Sequence, residues 1–253
     1  SIATAASSDH TAVTRREVVA WAFYDFANSG YTTVVLTTIY SAFFVGVIAA
    51  DLDRQSPGTA TLLWTLAIGC ANLVVLLSGP VIGAVADHRA AKKRFLVLSS
   101  VVCVLSTALL AGAAPGEVGL ALGLLVVSAV AFALGENLIA AFLPEIATPA
   151  TMGRISGWGW SLGYFGGLLT LGICLGYINW AQSRELAAAE YVPFTLLITA
   201  AIFAVTAAPT FLWLRERAVP QPADAGFSYL RCGFARVSET LGHSGRLPDV
   251  FRE

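Results

Sequence analysis

Long runs of apolar residues separated by short polar connections dominate this chain. They fall at roughly 18–49, 61–86, 95–113, 118–143, 155–178 and 191–214. Each approaches or exceeds the ~20 residues with which a helix crosses the hydrocarbon core of a bilayer. Hydrocarbon offers the backbone no water, so each run must close its own hydrogen bonds as a helix. A membrane β-barrel would show alternating segments of about ten residues, and the sequence has none. The pattern therefore predicts an all-α membrane protein whose six transmembrane helices occupy 17–217, after a polar segment 1–16. Beyond them, Pro220 and Pro222 open a linker, and Phe227, Leu230, Phe234, Val237 and Leu241 recur at helical spacing. Segment 218–253 is accordingly expected to carry a short amphipathic helix on the cytoplasmic membrane face.

Composition sharpens this picture. Of 253 residues, 57% are hydrophobic and 12% charged, against about 25% charged in a soluble domain. A net charge of −1 gives no reason to expect a nucleic-acid partner. Cys70, Cys103 and Cys174 fall inside apolar blocks and Cys232 stands in the tail. That arrangement suits small packing residues, not a disulfide framework or a metal site. Arg15, Arg16, Arg89, Lys92, Lys93, Arg94, Arg154, Arg215 and Arg217 border one set of span ends, while the opposite loops hold only Arg54 and Arg184. Positive charge collects on the cytoplasmic side, so both termini are expected there.

Ionisable groups within the spans are few. Asp25 and Glu136 are the acids inside the apolar blocks, and such groups usually face a bundle interior or a water-filled cavity. Asp25 and Asn28, three residues apart, share a helical face. Asn28-Ser29-Gly30 is also a weak stretch of helix, where the long first block is expected either to bend or to start as an interfacial segment. Glu136 and Asn137 lie at a similar depth in the fourth block, which suggests one aqueous vestibule. The alternative is local pairing, such as Glu136 with Arg154. Asn72, in the middle of the second block, is expected to form an interhelical hydrogen bond. Gly159, Gly163 and Gly167 recur every four residues in the fifth block, and Gly79 and Gly83 repeat the device in the second. Such faces let helices approach closely. His10, His88 and His243 all lie outside the spans. No span therefore supplies a histidine base for intramembrane proteolysis, and no enzyme, metal or cofactor is expected.

Two motif sets carry a resemblance. Gly83-x-x-x-Asp87 followed by Lys92-Lys93-Arg94 resembles the loop between the second and third helices of the major facilitator superfamily. The chain departs from that signature at His88, Ala90 and Ala91, so its loop latch, with Arg154 nearby, is expected to be built differently. More specific are Trp21-Ala-Phe-Tyr24-Asp25-Phe-Ala-Asn28-Ser29, Phe142-Leu-Pro144-Glu145-Ile, and Ser156-Gly157-x-Gly159-x-x-x-Gly163-Tyr164. Together they resemble the autophagy-associated vacuolar amino-acid effluxer family and its bacterial relatives. That resemblance implies twelve helices in two six-helix halves, each of two three-helix repeats, with solute bound between the halves. Six helices then read as an N-terminal half, inactive unless it meets the missing C-terminal half or a second copy. The first and fourth helices would line the cavity, setting Tyr24, Asp25 and Asn28 opposite Glu136 and Asn137. Asp25 or Glu136 would carry a coupling proton, because a carboxyl withdrawn from water protonates more readily. The reading is a secondary transporter of a small solute in a bacterial cytoplasmic membrane. Its rival is a non-transporting scaffold or assembly subunit.

Overall fold

The computed structural model describes residues 13–218, and no β-strand occurs among them. Six helices are long and apolar enough to cross a membrane: α1 (Arg15–Ile48), α2 (Thr59–His88), α3 (Lys92–Leu110), α4 (Val118–Ile146), α5 (Met152–Ser183) and α6 (Ala188–Trp213). The protein is thus an all-α, six-helix membrane protein, as its apolar blocks predict. The amphipathic helix expected after Pro222 lies outside the described residues.

Helix α1 starts at a reciprocal cap. The Thr14 N–H donates to the Glu17 carboxylate at 2.9 Å, and the Glu17 N–H donates to the Thr14 hydroxyl at 3.4 Å. Two backbone donors are thereby satisfied before the helix ladder begins. The expected bend at Asn28–Gly30 is not where the helix changes. Regular α-helix runs to Tyr31, and wider π-helical turns occupy Thr32–Thr38 and Phe44–Ile48. At Gly30, Thr170 of α5 fills the space a Cβ would take, its Oγ1 being 2.7 Å from that point. Threonine hydroxyls occupy the wide turn instead. Thr37 donates to the carbonyls of Thr33 and Thr32 at 2.9 and 3.0 Å, satisfying acceptors that the wider ladder loosens.

Helix α1 forms the centre of the bundle, packed mainly against α5 and α6, while α3 pairs with α4 and α6, and α2 lies chiefly on α4. The α1–α5 contact is the glycine face predicted in the fifth block. A Cβ on Gly163 would stand 2.9 Å from Ser29 Oγ, and one on Gly167 2.9 Å from Thr33 Oγ1. Gly166, outside that four-residue series, sits tighter still, directly against the Phe26 backbone. The second block does not repeat the device: Gly83 faces open space, and the nearest atom to a Gly79 Cβ is Asn137 Nδ2, at 4.0 Å. Asn72 likewise departs from expectation, being exposed and without a hydrogen bond to any described residue. Cys103 and Cys174 are buried packing residues, whereas Cys70 is exposed. Two hydroxyls knit α1 to its neighbours: Tyr31 pairs with Ser128 of α4 at 2.7 Å, and Thr210 of α6 donates to the Ala20 carbonyl at 2.6 Å.

Candidate functional site

Asp25 is half-buried on α1, Asn28 one turn later is buried, and Glu136 and Asn137 expose their side chains on α4. All four line one cavity of about 340 Å³, whose walls include Trp21 of α1 and Trp160 of α5. A second cavity of about 390 Å³ shares Asp25, Glu136 and Trp160 and adds Ser29, Thr33 and Tyr164. Four of the five residues read as the solute and proton site thus meet at one place.

Tyr24 does not join them, which corrects the sequence reading. One residue along an α-helix turns the side chain by about 100°, and that rotation aims Tyr24 at α3 instead. Its hydroxyl pairs with Ser100 at 2.9 Å, and only 1% of the residue is exposed. Gly135 of α4 makes room for it, since a Cβ there would collide with the tyrosine hydroxyl.

The walls are fixed by short-range packing. The Trp21 indole N–H donates to the Ile139 carbonyl at 2.9 Å, tying α1 to α4 beside the cavity. On the other side, Gly163 lets α5 close on the acid: a Cβ there would lie 3.0 Å from Asp25 Oδ2. Asp25 and Glu136 make no ion pair or hydrogen bond with any described residue, so the anticipated Glu136–Arg154 pair does not form. Arg154 is exposed and likewise unpaired among the described residues. Asn28 Oδ1 is buried without a hydrogen-bond partner. Trp21, Ser29 and Thr33 were missed as cavity residues, although steps of four from Asp25 reach each of them. Trp160 had no such signal. Among the described residues, no group of three or more His, Cys, Asp or Glu comes together to hold a metal.

A second polar cluster closes the end of the bundle at the α2–α3 turn. Lys92 Nζ lies 2.9 Å from Glu145 and 3.1 Å from Asp87. The Glu216 carboxylate accepts the N–H groups of Lys92 and Lys93 at 2.7 and 3.2 Å, capping the N-terminus of α3 where a carboxylate is favoured. Lys93 Nζ donates to the Leu214 carbonyl at 2.7 Å. Arg217 completes the chain of charges, its backbone N–H on Glu145 at 3.0 Å and its guanidinium 3.0 Å from Glu17. Asp87, Lys92 and Lys93, three of the residues expected in the loop latch, make their contacts in this cluster. Gly83 contacts nothing there, and Arg94 and Arg154 point outward. Glu17, Glu145, Glu216 and Arg217 were missed, because isolated charges at block ends look like ordinary interface anchors. Ala90, in the turn, takes a left-handed φ of 47°.

The family described as "Vacuole effluxer Atg22 like" matches residues 58–153 and 150–252. The chain is also 32% identical over 202 residues to the "Uncharacterized MFS-type transporter YxiO" of Bacillus subtilis (strain 168). That match covers 78% of this chain and 46% of the relative, so the chain spans about half of that protein's length. No solved structure matches the chain. Six apolar helices and both sequence matches agree: the chain belongs to the vacuole effluxer Atg22-like family of MFS-type transporters.

Proposed function

We propose that this chain forms the N-terminal half of a secondary transporter that moves a small solute by alternating access. The observation that carries the reading is the meeting of Asp25 from α1 and Glu136 from α4 in the same cavities. A scaffold has no use for two unpaired acids held in one space between spans, because intramembrane acids are costly. In the proposed protein the cavities open toward a second six-helix unit, which supplies the opposite wall of the solute site. Asp25 or Glu136 takes up the coupling proton when the site leaves water. Asn28 and Asn137 hydrogen-bond the solute. The effluxer wording of the family suggests export, with amino acids as the first solutes to try. Both termini lie in the cytoplasm, the membrane is a bacterial cytoplasmic one, and the half alone is inactive.

The latch has a part in this cycle. Lys92 joins the ends of α2, α3 and α4, and Arg217 joins that group to the start of α1. Such a network holds the half together as one rigid body while the two halves rock against each other.

The test is radiolabelled amino-acid flux in proteoliposomes, with and without a pH gradient. This chain is assayed beside a version extended through six further helices of the parent gene. Flux by the extended protein alone supports the reading. Absence of flux from both, across the solutes tried, favours the scaffold.

A further inference from the structure

Within the transporter reading above, we propose that the cavity bounded by Asp25, Asn28 and Glu136 is the subsite for a cationic, ammonium-bearing end of the solute. Three independent features of the cavity argue for this chemistry.

The first is uncompensated charge. Asp25 and Glu136 both line the cavity, and among the described residues no Lys, Arg or His lines it or its neighbour. Two carboxylates sharing one space repel each other unless a positive group or a proton lies between them.

The second is Asn28. It is 2% exposed, lines the cavity, and its Oδ1 has no hydrogen-bond partner. An amide oxygen left unsatisfied in a buried position is unfavourable, and it can be satisfied only by a donor. An ammonium group brings up to three N–H donors and no acceptor. The amide oxygen and the two carboxylates are all acceptors for such donors.

The third is the remaining wall. Trp21 and Trp160 bring aromatic surface, and Ile139 brings apolar surface. Aromatic rings attract organic cations, and apolar walls accept the carbon skeleton behind the charge. A bare inorganic cation instead needs oxygen ligands on all sides. The volume of about 340 Å³ also falls within the range of small-molecule sites.

The test uses the version extended through six further helices, purified into lipid nanodiscs, and isothermal titration calorimetry. The probes are leucinamide (cationic), leucine (zwitterionic), N-acetylleucine (anionic) and sodium chloride. Leucinamide is expected to bind and N-acetylleucine not to. Glu136→Gln and Asn28→Ala are each expected to weaken leucinamide binding by about tenfold or more. Glu136 is exposed, so its variant keeps the test decisive even if Asn28→Ala folds poorly. Equal binding of leucinamide and N-acetylleucine overturns the proposal. So does leucinamide binding unaffected by Glu136→Gln, heat from sodium alone, or no binding of any probe. Flux by the extended protein separates the two readings. Transport of neutral or anionic solutes without amine binding here sinks the subsite and keeps the transporter. Amine binding here without any flux does the reverse.

Discussion

Lys92 at the start of α3 and Glu145 at the end of α4 are joined by an ion pair of 2.9 Å, with the two side chains only 13% and 15% exposed. The same ammonium reaches Asp87 at 3.1 Å, so one side chain gathers the ends of three spans. Removing Lys92 takes its ammonium away from two carboxylates, Asp87 and Glu145, in a half-buried place. Lys92→Ala is expected to destabilise the bundle by about 2 kcal/mol, between the values for exposed and buried pairs. Thermal unfolding in detergent checks this. Lys92→Ala combined with Glu145→Gln should cost less than the two single losses added together, because the two side chains share one ion pair.

Glycines on α5 differ in what they protect. A Cβ on Gly166 would run into the Phe26 backbone, which cannot rotate away. Gly166→Ala is therefore expected to cost about 1–3 kcal/mol as overpacking. A Cβ on Gly163 would meet Ser29 Oγ at 2.9 Å and Asp25 Oδ2 at 3.0 Å, the movable ends of side chains. Gly163→Ala should cost less stability than Gly166→Ala and should disturb solute flux more. Parallel melting curves and flux assays on the two variants separate these effects.

Ala90 holds a left-handed φ of 47° in the α2–α3 turn. That conformation strains a residue carrying a Cβ and leaves glycine unstrained. Ala90→Gly is expected to stabilise the chain by about 1 kcal/mol, read as a rise in melting temperature.

Tyr24 offers a contrast with its neighbour Asp25. Its hydroxyl pairs with Ser100, and Ser100 also donates to the Leu96 carbonyl at 2.8 Å. Tyr24→Phe thus leaves the serine satisfied and should cost about 1 kcal/mol. Flux in the extended protein should stay unchanged, since the ring faces α3 and not the cavity.

The six spans were legible because a bilayer imposes length and apolarity on each helix, and those constraints are written residue by residue. Asp25, Asn28, Glu136 and Asn137 were legible for the same reason, as polar groups where polarity is costly. Tyr24 misled because a motif is a string, whereas a helix turns each successive residue to a new direction. The bend was placed at Asn28–Gly30 from local propensity, but Thr170 packs on Gly30 and that turn is regular. Glu17, Glu145, Glu216 and Arg217 stayed hidden for a different reason: their partners lie 72 to 200 residues away in sequence for the Arg217 contacts. Local spacing carries no trace of such a pairing.

If Asp25 and Glu136 act together, proton-coupled flux by the extended protein carrying Asp25→Asn and Glu136→Gln is the decisive measurement. Proteoliposomes with an imposed pH gradient would report labelled solute beside the unaltered protein. The account predicts that gradient-driven flux is abolished while the double variant still folds and inserts. Flux that keeps its rate and its response to the gradient would contradict it.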